Sequence, residues 1–408
     1  MDQAPVVDGS INGEWCTHHF DFTAPELGTH LHDALGYMRQ HCPVTKTDQH
    51  GGEWHVTRYQ EVLSIAQDWR TFSNEHKAGG GDHHAPPVPT IPESVDPPLH
   101  TIYKRLINAY FTAAAVTPYE EPTRVQARRL IDAFIEDGAC DFMAQFARPF
   151  PGLVFFEEVL HAPADRVADL NEMATAVSTP GSPNAAGSWQ GMMGWITELV
   201  EQRRTEGPRG DVVDGIISAE IEGRPITQAE ILGMVQLLIL GGLETTAGAL
   251  GQFFIRFARE PEIPALLRSR PELIPQAVEE LLRLDAPFVS IMRAVTEDTE
   301  LEGHRVDAGE QVVIWWASAN RDEAEFPRAD EFDLERTSNR HLAFGAGPHR
   351  CAGSNLARMN LRIALEELLP RLHDVALEPG PLEFHSAFNR APRAVPLTFT
   401  PGPRVGPG

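Results

Sequence analysis

Phe344-Gly-Ala-Gly-Pro-His-Arg-Cys351-Ala-Gly353 decides the reading of this chain. It is a glycine-punctuated loop that delivers one cysteine to the start of a helix reading from Ser354 onward. Gly345 and Gly347 allow turns with positive φ and a close approach of backbone to a flat ligand. Gly353 and Ser354 offer backbone N–H groups back toward the sulfur. The first N–H groups of a helix have no intrahelical partner and sit at the positive end of its dipole. Both effects favour a thiolate. A single thiolate held this way suits a metal ligand, as in the haem iron of oxygen-activating enzymes.

Two readings of Cys351 compete. A free cysteine is most often a small buried hydrophobe. Here, however, Phe344, Gly345, Gly347, His349 and Gly353 surround it in a fixed pattern. That pattern resembles the haem-binding loop of the cytochrome P-450 family, Phe-Gly-x-Gly-x-His-x-Cys-x-Gly. The resemblance implies haem b (iron protoporphyrin IX) with Cys351 as the axial metal ligand and dioxygen as co-substrate. It assigns Phe344, Gly345 and Gly353 to the cofactor-binding loop.

The 408 residues suffice for a sizeable core, and the composition (42% apolar, 23% charged) is ordinary for a globular protein. Cys16, Cys42, Cys140 and Cys351 show no paired spacing, which argues against a disulfide framework, a zinc site or an iron–sulfur cluster. The N-terminal Met1-Asp-Gln-Ala-Pro-Val-Val-Asp8 has no basic or apolar leader pattern. The longest apolar run, near Ile231 to Leu243, contains Gln236 and is short for a bilayer. The expectation is a cytoplasmic protein with no membrane partner. A net charge of −24 argues against nucleic acid as a partner.

Along the chain, Glu53 to Thr57 alternates like a strand, and Tyr59 to Trp69 has helical spacing. Residues 78 to 98 are rich in Gly and Pro, which reads as a long loop: a substrate-binding lid or a plain connector. From Leu99 to about Leu284 the pattern is helical. Strand-like pieces follow Arg293, notably Gln311 to Trp316. An irregular stretch from Ala317 to Arg340 then leads into the cysteine loop, and a helix from about Ala352 to Leu369 comes next. The fold class is mainly α with small β-sheets. This order resembles the triangular helical prism of the cytochrome P-450 family, with haem between the long central helix and the cysteine-loop helix. The resemblance runs over nearly all of residues 1–408, read as a single catalytic domain, and is weakest in the first fifty.

Thr227-Gln-Ala-Glu230 is a capping box that opens a long helix running to about Arg259. Its middle, Leu240-Gly241-Gly242-Leu243-Glu244-Thr245, contains two glycines that cost a helix roughly 1 kcal/mol each relative to Ala. They serve either helix packing or a close pass over a flat cofactor. Thr245 can bond the Gly241 carbonyl four residues back. The acid–alcohol pair Glu244 and Thr245 matches the family's proton-delivery motif, and the resemblance makes these two the catalytic residues. Cleaving an O–O bond requires protons on the distal oxygen, which a hydroxyl can donate and an acid can resupply.

Glu280-Leu-Leu-Arg283 places an acid and a base on one helix face. It matches the family's structural Glu-x-x-Arg pair, and Arg336 in Phe332-Asp-Leu-Glu-Arg336 matches its third member. For the haem carboxylates the resemblance implies His349, Arg293, His100 and Lys104. The last departs from the family, which commonly has Arg there, and Lys cannot make the bidentate contact.

By position in the family, the substrate pocket draws on Leu237, Leu240, Val289, Ile291, Phe388 and Asn389. These imply a small hydrophobic substrate, a terpenoid or an aromatic compound, while His83, His84, Arg390 and Arg393 leave a carboxylate open. The resemblance also implies electrons from a separate ferredoxin and its reductase, docking near Arg105, Arg350 and Arg358, with NAD(P)H acting only indirectly. The favoured activity is an oxygen-dependent monooxygenase. The alternatives are a hydrogen peroxide-driven peroxygenase and a non-catalytic haem gas sensor or carrier. The Glu244-Thr245 pair speaks against both.

Overall fold

The computed structural model describes residues 13–22, 27–75, 89–179, 182–385 and 389–406. Mainly helical, with small sheets, the chain divides into two compact units, each assembled from separate stretches of sequence. One comprises Met1–Thr101, Leu282–Cys351 and Glu383–Arg390, and the other comprises Ile102–Leu281, Ala352–Leu382 and Ala391–Gly408.

The first unit is built on a five-stranded sheet. Its order is Val44–Lys46, Trp54–Val56, Gln311–Ile314, Ile291–Val295 and Phe72–Ser73. Only the pairing of Trp54–Val56 with Gln311–Ile314 is parallel. All three residues of Trp54–Val56 are buried, as expected of an interior strand. Apolar clusters flank the sheet. One gathers Val56, Val62, Ile65, Val312 and Trp316, and the other gathers Trp15, Phe20, Leu31, Val313 and Trp315. The strand expected at Glu53 to Thr57 and the helix expected at Tyr59 to Trp69 are present as Trp54–Val56 and Tyr59–Gln67. The strand expected at Gln311 to Trp316 ends at Ile314, and Trp316–Ala319 turns into a short helix.

The second unit is organised around the helix Gln228–Arg259, 32 residues and so about 48 Å long at ~1.5 Å per residue. Its capping box is formed. The Glu230 amide donates to Thr227 Oγ1 (3.3 Å) and the Thr227 amide donates to Glu230 Oε2 (2.7 Å). Glu230 also accepts from the Tyr103 hydroxyl and from Arg224, and these bonds, the Arg224 contribution largest, hold its carboxyl far below the ordinary range. Phe254 of this helix, Phe142, Phe146 and Phe150 stack in succession, with centroid distances from 4.1 to 5.4 Å. Contrary to the helical reading of residues 99–284, Ala139–Asp141 is a strand. It pairs with Pro396–Thr400, which pairs in turn with His373–Leu377. The cysteine-side helix spans Ser354–Leu368.

Among the described residues, Gln228–Arg259 is long and apolar enough to cross a membrane, although the apolar run read from sequence was short for one. Its most apolar window is 61% buried, which identifies it as a core helix by its packing.

Candidate active site

In the first unit the cysteine loop is folded by its own backbone. The Gly345 amide donates to the Leu342 carbonyl (2.9 Å), and the Cys351 amide donates to the Phe344 carbonyl (2.8 Å). Between them, Gly347 opens a single 3-10 turn, Gly347–His349, at φ 68°. A Cβ on Gly347 would stand 2.2 Å from the Ala66 carbonyl oxygen, so any side chain there would drive the loop off the helix Tyr59–Gln67. The loop is thus locked in place and leaves Cys351 exposed. That excludes the buried-hydrophobe reading of this cysteine. Phe344 is half-buried, with its ring 6.1 Å from that of His341. Two residues along the chain, Gly353 is the N-cap of the helix Ser354–Leu368, and no side chain caps it.

Also in the first unit, three of the expected carboxylate anchors lie on separate elements. Arg293 comes from the strand Ile291–Val295, in register with Val312 of its neighbour. His349 comes from the loop, and His100 from the first turn of the helix Leu99–Asn108. The His100 and His349 rings are 4.2 Å apart. Arg293 is 2% exposed, and burial pulls its guanidinium down to about 10. It donates to the Met292 carbonyl (2.8 Å), and among the described residues no carboxylate lies within salt-bridge distance of it. Glu93 and Asp96 partly restore the guanidinium from a distance, yet a buried cation with no carboxylate in contact is costly, by several kcal/mol. The donor set therefore fits a group that brings its own carboxylates, as haem does. Lys104 is half-buried on the same helix as His100.

Asp96, which sequence reasoning did not single out, belongs to this cluster. Its carboxylate accepts from the Ser73 hydroxyl and the Asn74 amide (3.1 Å), and it stands 3.8 Å from His349 Nε2. Burial pushes its carboxyl up, but His349 and these donors more than offset that and hold it below the ordinary value. Its position before Pro97-Pro98 marks a helix start in the sequence. Nothing local marks it as the neighbour of a histidine far along the chain.

In the second unit, the central helix is buried nearly all round. Between Gly233 and Ile255 only Leu237, Leu240, Gly241, Gly242 and Thr245 escape full burial. Leu237, Leu240, Gly241 and Thr245 follow helical spacing and so form one open stripe. The two glycines serve different ends. A Cβ on Gly242 would meet the Phe155 ring at 3.1 Å, which is a packing constraint, whereas nothing lies within 4 Å of one on Gly241. The Thr245 hydroxyl donates to the Gly241 carbonyl (2.8 Å), and the helix continues unbroken through this bond. Glu244 is 9% exposed and interacts electrostatically with Arg148. Burial lowers the Arg148 guanidinium, and Asp141 and Glu244 partly restore it.

Glu280 and Arg283 are each 1% exposed on the helix Ile274–Asp285. Arg283 donates to the carbonyls of Asn320 (2.8 Å), Ala329 (2.5 Å) and Glu331 (3.1 Å), and its guanidinium lies 5.2 Å from the Phe326 ring. Arg336 sits 5.8 Å from the same ring and donates to the carbonyls of Pro327 and Arg328. Both arginines therefore hold carbonyls of the irregular stretch that precedes the cysteine loop.

The expected pocket residues are divided. Leu237 and Leu240 lie on the open stripe, and Ile291 is half-buried. Val289 is fully buried in the cluster that also holds Phe20 and Trp315. Asn389 is buried and bridges to Phe288, while Phe388, His83 and His84 lie outside the described residues. Arg390 is committed elsewhere: it donates to the Gly28 carbonyl (2.8 Å) and stacks on Phe384. Of the expected docking cations, Arg105 and Arg350 are exposed, but Arg358 forms a bidentate pair with Glu279 (2.7 and 2.8 Å).

A family model described as Cytochrome P450 matches residues 267–379, from the Glu280–Arg283 helix through the cysteine loop. The linalool 8-monooxygenase of Pseudomonas putida is 31% identical over 392 residues, covering 90% of this chain and 96% of that protein. The chain is a cytochrome P450. A steroid C26-monooxygenase of Mycobacterium tuberculosis is 32% identical over 383 residues, covering 91% and 94% of the two chains. Among solved structures, a mutant of P450 EryK in complex with erythromycin B superposes with a TM-score of 0.85 at 27% identity, over 95% of this chain and all of that one. The P450 PksS of Bacillus subtilis 168 does so with a TM-score of 0.85 at 26% identity, over 93% of this chain and all of that one. This P450 therefore has the fold of its family and is a haem-thiolate monooxygenase.

Proposed function

We propose that this P450 inserts one oxygen atom of dioxygen into a small hydrophobic substrate, a terpenoid or an aromatic compound, with both units serving one catalytic domain. The observation that carries this reading is the open stripe of Leu237, Leu240, Gly241 and Thr245 on a helix otherwise sealed in the core. Leucines at one end of that stripe exclude water and favour an apolar guest. Gly241 leaves room for a flat group. The Thr245 hydroxyl is the polar atom beside that room, and Glu244 is the next acid along the helix. Ile291 and Asn389 complete the substrate contacts in this reading. The names of the relatives, with linalool and a steroid as substrates, support an apolar substrate.

Cys351 is the proposed thiolate that would hold the haem iron. Haem b, when bound, supplies the oxygen-activating redox chemistry. Arg293, His349, His100 and Lys104 hold its carboxylates, and Phe344, Gly345 and Gly353 shape the loop. An Arg293→Gln enzyme should lose haem to an apoglobin scavenger roughly tenfold to a hundredfold more readily, because a hydrogen bond to a charged group contributes about 1.5–3 kcal/mol. Unchanged retention would remove Arg293 from the anchor set.

The Thr245 hydroxyl would hold a proton at the open stripe for the oxygen chemistry, and Glu244 would resupply it. The Thr245→Ala enzyme should keep consuming electrons but release hydrogen peroxide. Product per NAD(P)H should fall by on the order of tenfold or more, since positioned proton transfer contributes roughly 10²–10⁴-fold. Full coupling in that variant would sink the role. Turnover needs an external electron donor, for which a ferredoxin and its reductase are proposed. Arg105 and Arg350, which are exposed, are proposed to carry the docking, and Arg358 pairs with Glu279. The net charge of −24 and the core packing of the central helix support a cytoplasmic location.

A further inference from the structure

We propose that Cys16 and Cys42 form an oxidisable dithiol, a modification site that hydrogen peroxide closes to an intramolecular disulfide. The two sulfurs stand 2.8 Å apart. A disulfide bond is about 2.04 Å long, so closure moves them by less than about 1 Å. No sequence spacing announces the pair, because the partners are 26 residues apart and meet only when the helices Gly13–His18 and Leu27–His41 pack together.

The two thiols are unlike. Cys16 is fully buried, in the cluster with Trp15, Phe20, Leu35 and Met38. Cys42 is half-buried at the edge of that cluster, just beyond its helix, with its amide donating to the Met38 carbonyl (2.9 Å). Cys42 is the sulfur that solvent reaches, and its contact with Cys16 lowers its thiol while the same contact and burial raise that of Cys16, so Cys42 is the nucleophile in this proposal. Cys140 offers a contrast: burial pushes its thiol up to about 12, and no second sulfur approaches it among the described residues.

The reaction has two steps. The Cys42 thiolate attacks one peroxide oxygen, the O–O bond breaks, and the departing hydroxide takes up a proton to become water. Cys42 is left as a sulfenic acid. Cys16 then attacks the Cys42 sulfur, and the S–O bond breaks. The departing hydroxide leaves as water with the Cys16 proton. One peroxide is reduced to two waters, and two thiols are oxidised to one disulfide. The bond ties the first helix to the second over the cluster that contains Val313 and Trp315. Val313 belongs to the strand paired with the one that bears Arg293.

The test uses the haem-loaded enzyme, treated with a few equivalents of hydrogen peroxide and, in parallel, with diamide, which takes up the two hydrogens without involving haem. Remaining thiols are then alkylated with N-ethylmaleimide under denaturing conditions and mapped by peptide mass. The expected result is the loss of two alkylated thiols and a Cys16–Cys42 cross-linked peptide from monomeric protein, reversed by dithiothreitol. In a Cys16→Ala enzyme the cross-link should vanish and Cys42 should be trapped by dimedone as its sulfenic acid. Full alkylation of both cysteines after oxidation would overturn the proposal, as would a cross-link between two molecules. So would conversion of Cys42 to a sulfinic acid without cross-linking. The wild-type map decides even if the variant does not fold.

Discussion

An Arg283→Ala enzyme should lose about 3–5 kcal/mol of stability, the usual cost of removing one member of a buried ionic group. Total stability is typically about 5–15 kcal/mol, so this loss leaves little folded protein. Two buried carbonyls, those of Asn320 and Ala329, and the part-buried carbonyl of Glu331 lose their donor at once. Glu280 stays buried on the same helix without the base three residues on. Phe326 loses one of the two guanidinium groups beside its ring and keeps Arg336 and the Tyr59 ring. The stretch that these groups pin down leads directly into the cysteine loop. The variant should therefore unfold at markedly lower urea concentration and be recovered with little haem. Arg283→Lys should not rescue it, because one ammonium cannot span three carbonyls on separate turns. A variant with wild-type unfolding would show that the guanidinium network contributes nothing to the fold.

Replacing Cys351 by alanine should have the opposite profile, with the fold kept and the chemistry lost. The loop is held by the Cys351 amide bond to the Phe344 carbonyl and by the seat of Gly347 against Ala66, and neither uses the sulfur. Arg293, His349 and His100 remain to hold a haem. The variant should show near-wild-type unfolding and bind haem more weakly. Its reduced, carbon monoxide-bound spectrum should lack the thiolate signature, and monooxygenation should fall below detection. A thiolate-type spectrum in that variant would remove Cys351 from the axial position, and lost folding would show that the loop depends on the sulfur.

Much of the fold was readable because its signals are local. The capping box at Thr227 and Glu230 fixed the start of the central helix, and alternation at Trp54 and Val56 marked a strand. The cysteine loop carries its glycines where backbone geometry demands them, Gly347 most strictly. Features that depend on which distant segment comes to rest against a residue stayed hidden. Gly241 and Gly242 look alike in sequence, yet one opens a space and the other makes way for Phe155. Val289, placed in the pocket by the family's pattern, is fully buried in a cluster with Trp315 and Phe20 that its local sequence does not announce. Asp96, which no local pattern singles out, stands 3.8 Å from His349. Arg358 looks like a free cation until Glu279 is found clasping it. Cys16 and Cys42 likewise show no spacing, only proximity.

The most direct test of the account is a reduced, carbon monoxide-bound difference spectrum of the wild-type protein, followed by titration of the oxidised form with terpenes and aromatic compounds. The account predicts the strongly red-shifted Soret band of thiolate-ligated haem, and a low- to high-spin change with at least one such compound. A band at the histidine-ligated position in intact, folded protein, or no bound haem at all, would contradict it.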